Sequence, residues 1–349
     1  MPVIVTASRD MKTRVCFTID TEFSIGGAFA APYDARPVGE AVVWCPVDGR
    51  SEGLGFLLDT FAAHGVQATF FVEALHRSYF ALQNLDPMRP AVEAIRAAGH
   101  DLQLHLHPCW TVFEQENWPA AVVRQPRQDD FAGRPLVSSI ELIRRGQAQF
   151  ADWGLPPPQV LRTGSLQHDR NIYRAIAACG LRAASNIGLG IYRSGDPDFD
   201  LYAGAHMIEG IVEFPVLSYV DVRLGSRERL KSLTVTGSNV TETVALLEAA
   251  HASGLDAVVV LTHPFEYIRD YDAQFRGART HARNQRKLTT LCAYVHEHSE
   301  RFRFATLSEL LETHDPRMPA RNPRLRAPRH LALGRLLGNR LHDAGVWDR

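Results

Sequence analysis

The sequence predicts an α/β protein that forms a closed or nearly closed (β/α) barrel. Apolar, strand-like runs alternate with helical periods about seven times, which is typical of parallel strands covered by helices. No glycine-rich nucleotide fingerprint follows any of these strands, which favours a barrel over an open doubly wound sheet. No change in composition interrupts the series. We therefore expect one barrel domain over residues 1–313 and a separate basic tail over 314–349.

The predicted strands are short buried runs rich in β-branched and aromatic residues. In order, they cover residues 15–20, 67–72, a histidine-containing segment within 99–110, then 160–162, 181–185, 213–216, 257–262 and 303–306. Helical periodicity predicts helices over 53–64, 90–98, 138–153, 171–179, 241–252, 284–298 and 307–313. Glycine ends two of them, at Gly99 and Gly180, and three prolines at 156–158 close the unit before the fourth strand.

Composition describes an ordinary globular protein. A formal net charge of -1, with 45% hydrophobic and 22% charged residues, gives no reason to expect nucleic acid as a partner. The five cysteines are scattered without a CxxC pair, which argues against a disulfide framework or a cysteine zinc knuckle. No apolar run approaches the roughly 18 residues that span a bilayer, and the N-terminus lacks a signal-peptide pattern. The cytoplasm is the expected location.

Two histidines stand two residues apart in an apolar run. Side chains at i and i+2 leave the same face of a strand, so His105 and His107 are expected to point into one volume. Paired neutral imidazoles suit a metal such as zinc. The alternative from this segment alone is one buried histidine and one surface histidine near a turn.

A second segment carries two acids at the same spacing. Asp20 and Glu22 end the first buried run and would share a face of that strand. Because an unpaired buried charge is expensive, such a pair indicates either a metal or a proton-transfer task. The alternative is a solvated strand end.

Polar groups follow other predicted strands as well. Arg162 and His263 stand at or near strand ends, as do the histidine and acid pairs. Chemistry in α/β barrels is located at the carboxyl ends of the strands, so four separate segments are expected to deliver polar groups to one rim. Arg162 alone could equally be a structural ion-pair partner, and His263 a residue that closes a strand before a proline.

Five segments between about residues 15 and 311 resemble the polysaccharide deacetylases of the NodB homology type, also called carbohydrate esterase family 4. Within that family the chain looks most like the bacterial WalW-type branch. The segments are Thr18-Ile19-Asp20-Thr21-Glu22, Ala68-Thr69-Phe70-Phe71-Val72, Gly99-His100 followed by His105, Leu161-Arg162-Thr163-Gly164-Ser165 and Leu261-Thr262-His263-Pro264.

The resemblance implies a distorted (β/α) barrel of about seven strands and metal-dependent hydrolysis of an acetamide on an N-acetylated sugar or glycoconjugate. By likeness, Asp20 takes the place of the catalytic base, His263 that of the general acid, and Arg162 that of the residue that orients the base. The implied cofactor is a divalent metal, with zinc the expected one. Hydrolysis of another linear amide, such as a formamide, and a non-catalytic carbohydrate-binding protein on the same fold remain open.

The sequence departs from the family pattern at the metal. The family has two adjacent aspartates, the second a ligand, whereas Thr21 follows Asp20 here, so Glu22 is assigned as a ligand with His105 and His107. The family's histidines are four residues apart, which would put Cys109 in the second position. His107 is preferred because it stays beside His105, whereas Pro108 would end the strand. Cys109 stays an alternative, and His100 is interpreted as structural.

The tail has a different character. Residues 315–349 contain eight arginines and three aspartates, with four prolines near the start. This composition predicts a solvated, partly disordered tail with a short helix over 331–341. The alternative is docking on an anionic partner or membrane surface, because leucines between the arginines would form an apolar stripe.

Overall fold

The computed structural model describes residues 12–224 and 227–328. Its strands are β1 (Thr13–Thr21), β2 (Pro46–Val47), β3 (Arg50–Ser51), β4 (Thr69–Glu73), β5 (Asp101–Leu106), β6 (Val160–Thr163), β7 (Ala183–Ala184), β8 (His206–Ile208), β9 (Ile211–Glu213), β10 (Ser218–Leu224), β11 (Arg227–Ser232), β12 (Ala257–Thr262), β13 (Ile268–Arg269), β14 (Arg279–Thr280) and β15 (Phe302–Phe304). Its α-helices are α1 (Glu40–Trp44), α2 (Leu54–His64), α3 (Arg77–Phe80), α4 (Arg89–Ala97), α5 (Trp118–Arg124), α6 (Leu136–Asp152), α7 (Arg170–Ala178), α8 (Val240–Ala252), α9 (Ala282–Glu297) and α10 (Leu307–Thr313).

The central sheet is almost entirely parallel. Its order is β12-β1-β4-β5-β6-β7-β9-β8, with β15 also paired to β1 and only β8 antiparallel to its neighbour. The chain beyond β9 then returns to β12: Val216 bridges Val259, and the Leu217 N–H donates to the Val259 carbonyl at 3.0 Å. The sheet therefore closes into a distorted barrel, and the predicted fold class is confirmed.

The strands are buried on both faces, as parallel strands under helices must be. Every residue of β1 and β4 is buried, which explains their continuous apolar runs. Helix α6 packs closely on β5, because a Cβ at Gly146 would lie 2.7 Å from Leu104 Cδ1. Side-chain oxygens cap the starts of α7, α8 and α10 at Asp169, Asn239 and Thr306. These contacts fix the strands whose ends carry the site.

Most predicted elements occur within a few residues of their expected bounds. The predicted strand over 181–185 is only two residues long, and that over 213–216 is instead formed by 211–213. The antiparallel hairpin of β10 and β11 was not predicted.

Part of the predicted basic tail runs beside this hairpin. The Val220 N–H donates to the Leu325 carbonyl at 2.9 Å, and the Ala327 N–H donates to the Val220 carbonyl at 3.0 Å. Leu325 and Ala327 are buried, so this part of the tail packs against the barrel. The helix predicted over 331–341 lies outside the described residues.

None of the helices in the described part of the chain combines the length and apolar character needed to cross a bilayer.

Candidate active site and metal centre

The strand register places the predicted site residues at one rim. His105 is paired with Glu73 on one side and with Arg162 on the other, and Asp20 is paired with Phe71. Glu22 is the first residue after β1, and His263 is the first residue after β12. All six predicted residues therefore lie at the carboxyl ends of four strands, β1, β5, β6 and β12.

Glu22 and the two histidines form a compact three-residue group. The Glu22 Oε2 atom is 2.7 Å from His107 Nε2 and 3.2 Å from His105 Nε2. Strand β5 ends at Leu106, before His107, but His107 remains extended at φ -115° and ψ 104°. The i and i+2 geometry therefore holds beyond the strand itself, and the two rings meet edge to face with centroids 4.9 Å apart.

The Nδ1 atom of each histidine, on the side of the ring that does not face Glu22, contacts another polar group of the protein. His105 Nδ1 is 2.9 Å from the Arg162 carbonyl oxygen, and His107 Nδ1 is 2.8 Å from Asp129 Oδ2. A carbonyl oxygen accepts hydrogen bonds only, and an ionised carboxylate likewise, so both Nδ1 atoms carry the proton. Both Nε2 atoms face the Glu22 carboxylate, so the three side chains offer three ligand atoms to a divalent metal ion, which would replace the protons shared between the imidazoles and the carboxylate.

The surroundings of Glu22 favour its charged form. Burial alone would raise its pKa, but the neighbouring imidazoles of His107 and His105 outweigh burial and lower the pKa well below the usual range. A carboxylate that stays ionised is what a hard or borderline cation requires of an oxygen ligand. The residues present thus fit a divalent metal.

Cys109 lies on the other side of His107. It is grouped with His107 and Asp129, not with Glu22, and its backbone N–H donates to Asp129 Oδ1 at 3.2 Å. Burial, together with the Asp129 charge, raises the pKa of the Cys109 thiol well above its usual value, so it remains protonated. The Arg127 guanidinium, 2.5 Å from Asp129 Oδ2, already supplies the positive charge of this second group. The geometry favours His107 over Cys109 as the partner of His105.

Asp20 is held from inside the barrel. Arg162, fully buried, donates from Nη1 to Asp20 Oδ1 at 2.8 Å and to Thr18 Oγ1 at 2.9 Å. Its other nitrogens donate to the carbonyl and hydroxyl oxygens of Ser185, and its guanidinium carbon lies 4.1 Å from the centre of the Phe71 ring. This network ties β6 to β1, β4 and the chain after β7. It leaves Asp20 Oδ2 directed toward His263, whose Nε2 is 3.9 Å away.

His263 has its own carboxylate partner. Its Nδ1 is 3.2 Å from Glu266 Oε1, while Glu266 Oε2 accepts a hydrogen bond from Thr262 Oγ1 at 2.8 Å. Burial would lower the pKa of His263, but the bond to Glu266 and the charges of Glu266, Asp20 and Glu22 raise it to about 9. At neutral pH the His263 imidazole next to Asp20 is therefore in its protonated, positively charged form.

Three supporting acids were missed from the sequence. Glu266 and Asp129 act on His263 and His107 as described above. Glu73, fully buried, accepts backbone N–H groups from Leu75 at 2.8 Å and His107 at 3.2 Å. The available signal was an acid at the end of an apolar run for Glu73, and an acid three residues after a histidine for Glu266.

Gly164 makes room for one of the imidazoles. A Cβ at this position would lie 2.4 Å from His107 Nδ1. No larger residue fits while the ring keeps this orientation. His100, by contrast, accepts a hydrogen bond from the Ala68 N–H and lies away from the group, in agreement with its structural interpretation.

Comparisons with known proteins support the fold. No protein-family model matches the sequence, and no curated protein matches it significantly. Among solved structures, a proposed polysaccharide deacetylase from Mycobacterium smegmatis is 18% identical, with a TM-score of 0.53 over 92% of this chain and 98% of the other. The chain therefore has the fold of a NodB-type polysaccharide deacetylase.

Two further solved structures are also similar to this chain. A family 4 carbohydrate esterase from Streptomyces lividans, in complex with acetate, is 13% identical, with a TM-score of 0.42 over 87% of this chain and 96% of the other. A 4-alpha-glucanotransferase from Thermococcus litoralis is 11% identical, with a TM-score of 0.50 over 97% of this chain and 47% of the other. Because one architecture carries different activities, activity has to be argued from the site. The WalW-type branch stays a prediction.

Proposed function

We propose that the protein is a metal-dependent hydrolase that removes an acetyl group from an N-acetylated sugar or glycoconjugate. The observation that carries the proposal is the convergence of three metal-type donors, Glu22, His105 and His107, beside a paired base and acid. The fold of a polysaccharide deacetylase supports the same class of reaction.

When bound, a divalent metal, zinc being the expected one, supplies Lewis-acid polarisation of the amide carbonyl and makes the attacking water more acidic. Glu22, His105 and His107 would hold it. Asp129 and Glu73 would keep His107 in place, the first through the ring and the second through the main chain.

The base is Asp20. Arg162 occupies Oδ1, so Oδ2 is the atom that takes the proton from water as its oxygen attacks the carbonyl carbon. Because Arg162 is buried and held by Ser185 as well, it keeps the carboxylate in one orientation. Its role is positioning, since it reaches Asp20 from the barrel interior.

The acid is His263. It donates its Nε2 proton to the nitrogen of the tetrahedral intermediate, the carbon–nitrogen bond breaks, and acetate and the free amine leave. Glu266 balances the charge of the imidazolium during this step. Asp20 and His263 thus divide the two proton transfers that amide hydrolysis requires.

The test uses the full chain loaded with zinc and measures acetate released from N-acetylated sugars. Asp20→Asn should abolish acetate release and keep the metal, whereas His105→Ala should lose both, with metal content measured by plasma mass spectrometry. Asp59→Asn and His296→Ala, at exposed helical positions, are the matched controls.

Release of formate from N-formyl sugars, without acetate from the acetyl forms, would replace the proposal with a formamide hydrolase. Stoichiometric zinc binding without hydrolysis of either class would point to a carbohydrate-binding protein and contradict the proposal.

A further inference from the structure

A cavity of about 340 Å³ opens beside Glu22 and His107. Its walls come from three loops: residues 23–27 after β1, residues 107–110 after β5, and residues 271–275 between β13 and β14. Phe265, which stacks on His263 with ring centroids 5.0 Å apart, also lines it. The cavity therefore reaches two of the metal-type donors and the ring that stacks on the proposed acid.

Two of these walls are joined to each other. Gln274 Nε2 donates to the Gly26 carbonyl at 2.7 Å and to the Arg36 carbonyl at 3.0 Å. Residues on both sides of Gly26 and of Gln274 line the cavity, so the join lies at its edge. A Cβ at Gly26 would lie 2.1 Å from the Arg36 carbonyl oxygen, so the chain is in close contact there. The join therefore closes the edge of the cavity between these two loops.

The loop that carries Gln274 is itself ordered by local contacts. Asp272 Oδ1 accepts the backbone N–H groups of Gln274 and Arg276, each at 2.9 Å. The rings of Tyr271 and Phe275 stack with centroids 4.7 Å apart and an interplanar angle of 15°. Tyr271 and Phe275 thus form an aromatic wall of the cavity, which suits the apolar face of a sugar ring.

From this closed end we propose that the enzyme takes its substrate end-on and deacetylates a single terminal or free N-acetylated sugar, not the internal residues of a polymer. The inference rests on the proposed function. Ligand sites usually measure about 300–1,000 Å³, and this cavity is at the small end of that range. A continuous glycan chain would have to pass through the join made by Gln274, whereas a terminal residue enters from the open side.

The experiment measures acetate released by the zinc-loaded full chain from free N-acetylglucosamine and from its linear hexasaccharide. Mass-spectrometric sequencing then determines which residues of the hexasaccharide were deacetylated. We expect acetate from the monosaccharide and from a terminal residue of the hexasaccharide. Terminal release should exceed internal release by about tenfold or more, where tenfold corresponds to about 1.4 kcal/mol of transition-state free energy. Gln274→Ala should open the end and raise the internal share, while Gln83→Ala, at an exposed position, should not change it.

Two results overturn the inference in distinguishable ways. Equal deacetylation of internal and terminal residues by the unmodified protein would refute the end-on geometry and leave the proposed function standing. Absence of acetate from both substrates, and from the N-acetyl forms of other amino sugars, would refute the proposed function and the inference with it.

Discussion

Replacing Glu266 by glutamine is the sharpest test of the proposed acid. The substitution keeps the shape of the side chain and its bond from Thr262, and removes the charge beside His263. Three carboxylates, those of Glu266, Asp20 and Glu22, raise the pKa of His263 to about 9 against the opposing effect of burial, and Glu266 contributes first among them. Without it, we expect that pKa to fall toward the ordinary histidine value.

The sign of the effect follows from the role of the residue. A general acid works only when protonated, so activity is lost as the pH rises through its pKa. In the unmodified protein this loss is expected near pH 9. At pH 8, below a pKa of about 9, most of the His263 imidazole is protonated in the unmodified protein, and this protonated fraction falls as the pKa falls. Glu266→Gln should therefore cost about tenfold in kcat at pH 8 and little at pH 6.

The assay is acetate release by the zinc-loaded protein between pH 5.5 and about 9.5, with NMR titration of the His263 ring as a readout independent of turnover. Glu297→Gln, an exposed position on α9, is the control and should reproduce the unmodified profile. An unchanged alkaline limb, or an equal loss at pH 6 and pH 8, would show that Glu266 does not act through the charge of His263.

Three further outcomes test the support around the site and the core. Asp129→Asn should weaken zinc binding by about 10–100-fold through the loss of its bond to His107, measured by competition with a fluorescent chelator; unchanged affinity would contradict this role. Burial raises the pKa of Glu213 to about 7, so the unmodified protein should lose up to about 3 kcal/mol of unfolding free energy as the pH rises from 4.5 through 7. Urea denaturation of Glu213→Gln should show a flatter pH dependence, and parallel curves would refute the assignment. Phe61 lies on α2 and packs on Phe17 of β1 and Phe70 of β4, so Phe61→Ala should cost about 3–5 kcal/mol in the same assay; a cost well below 1 kcal/mol would show that its site can collapse.

The barrel was predictable because each of its main strands can be recognised from its own short stretch of sequence. Parallel strands under helices are buried on both faces, so runs such as 67–72 and 257–262 are recognisable without knowing their neighbours. The hairpin of β10 and β11 was not predicted, since several of its residues are polar or charged and its pairing depends on packing against the rest of the fold.

The site residues at the strand ends were predictable for the same reason. The acids that contact them, Glu73, Asp129 and Glu266, were not. The spacing of His105 and His107 is a property of one strand, so the pair could be identified from period two alone. Asp129 stands in an irregular stretch without periodicity, and its partner is fixed only when that loop folds back on His107. Which acid contacts which histidine depends on the tertiary structure and cannot be read from the local sequence.

The buried Arg162 network described above has a consequence for how the barrel can vary. One guanidinium inside the barrel fastens the strand of the proposed base, through Asp20 and Thr18, to two other parts of the wall, at Ser185 and Phe71. Removing the Asp20 carboxylate would leave the Arg162 charge unpaired in a low-dielectric interior, which typically costs about 3–5 kcal/mol. The orientation of the proposed base and the stability of the scaffold therefore depend on the same buried group, so a change that misaligns Asp20 is also expected to lower the free energy of unfolding.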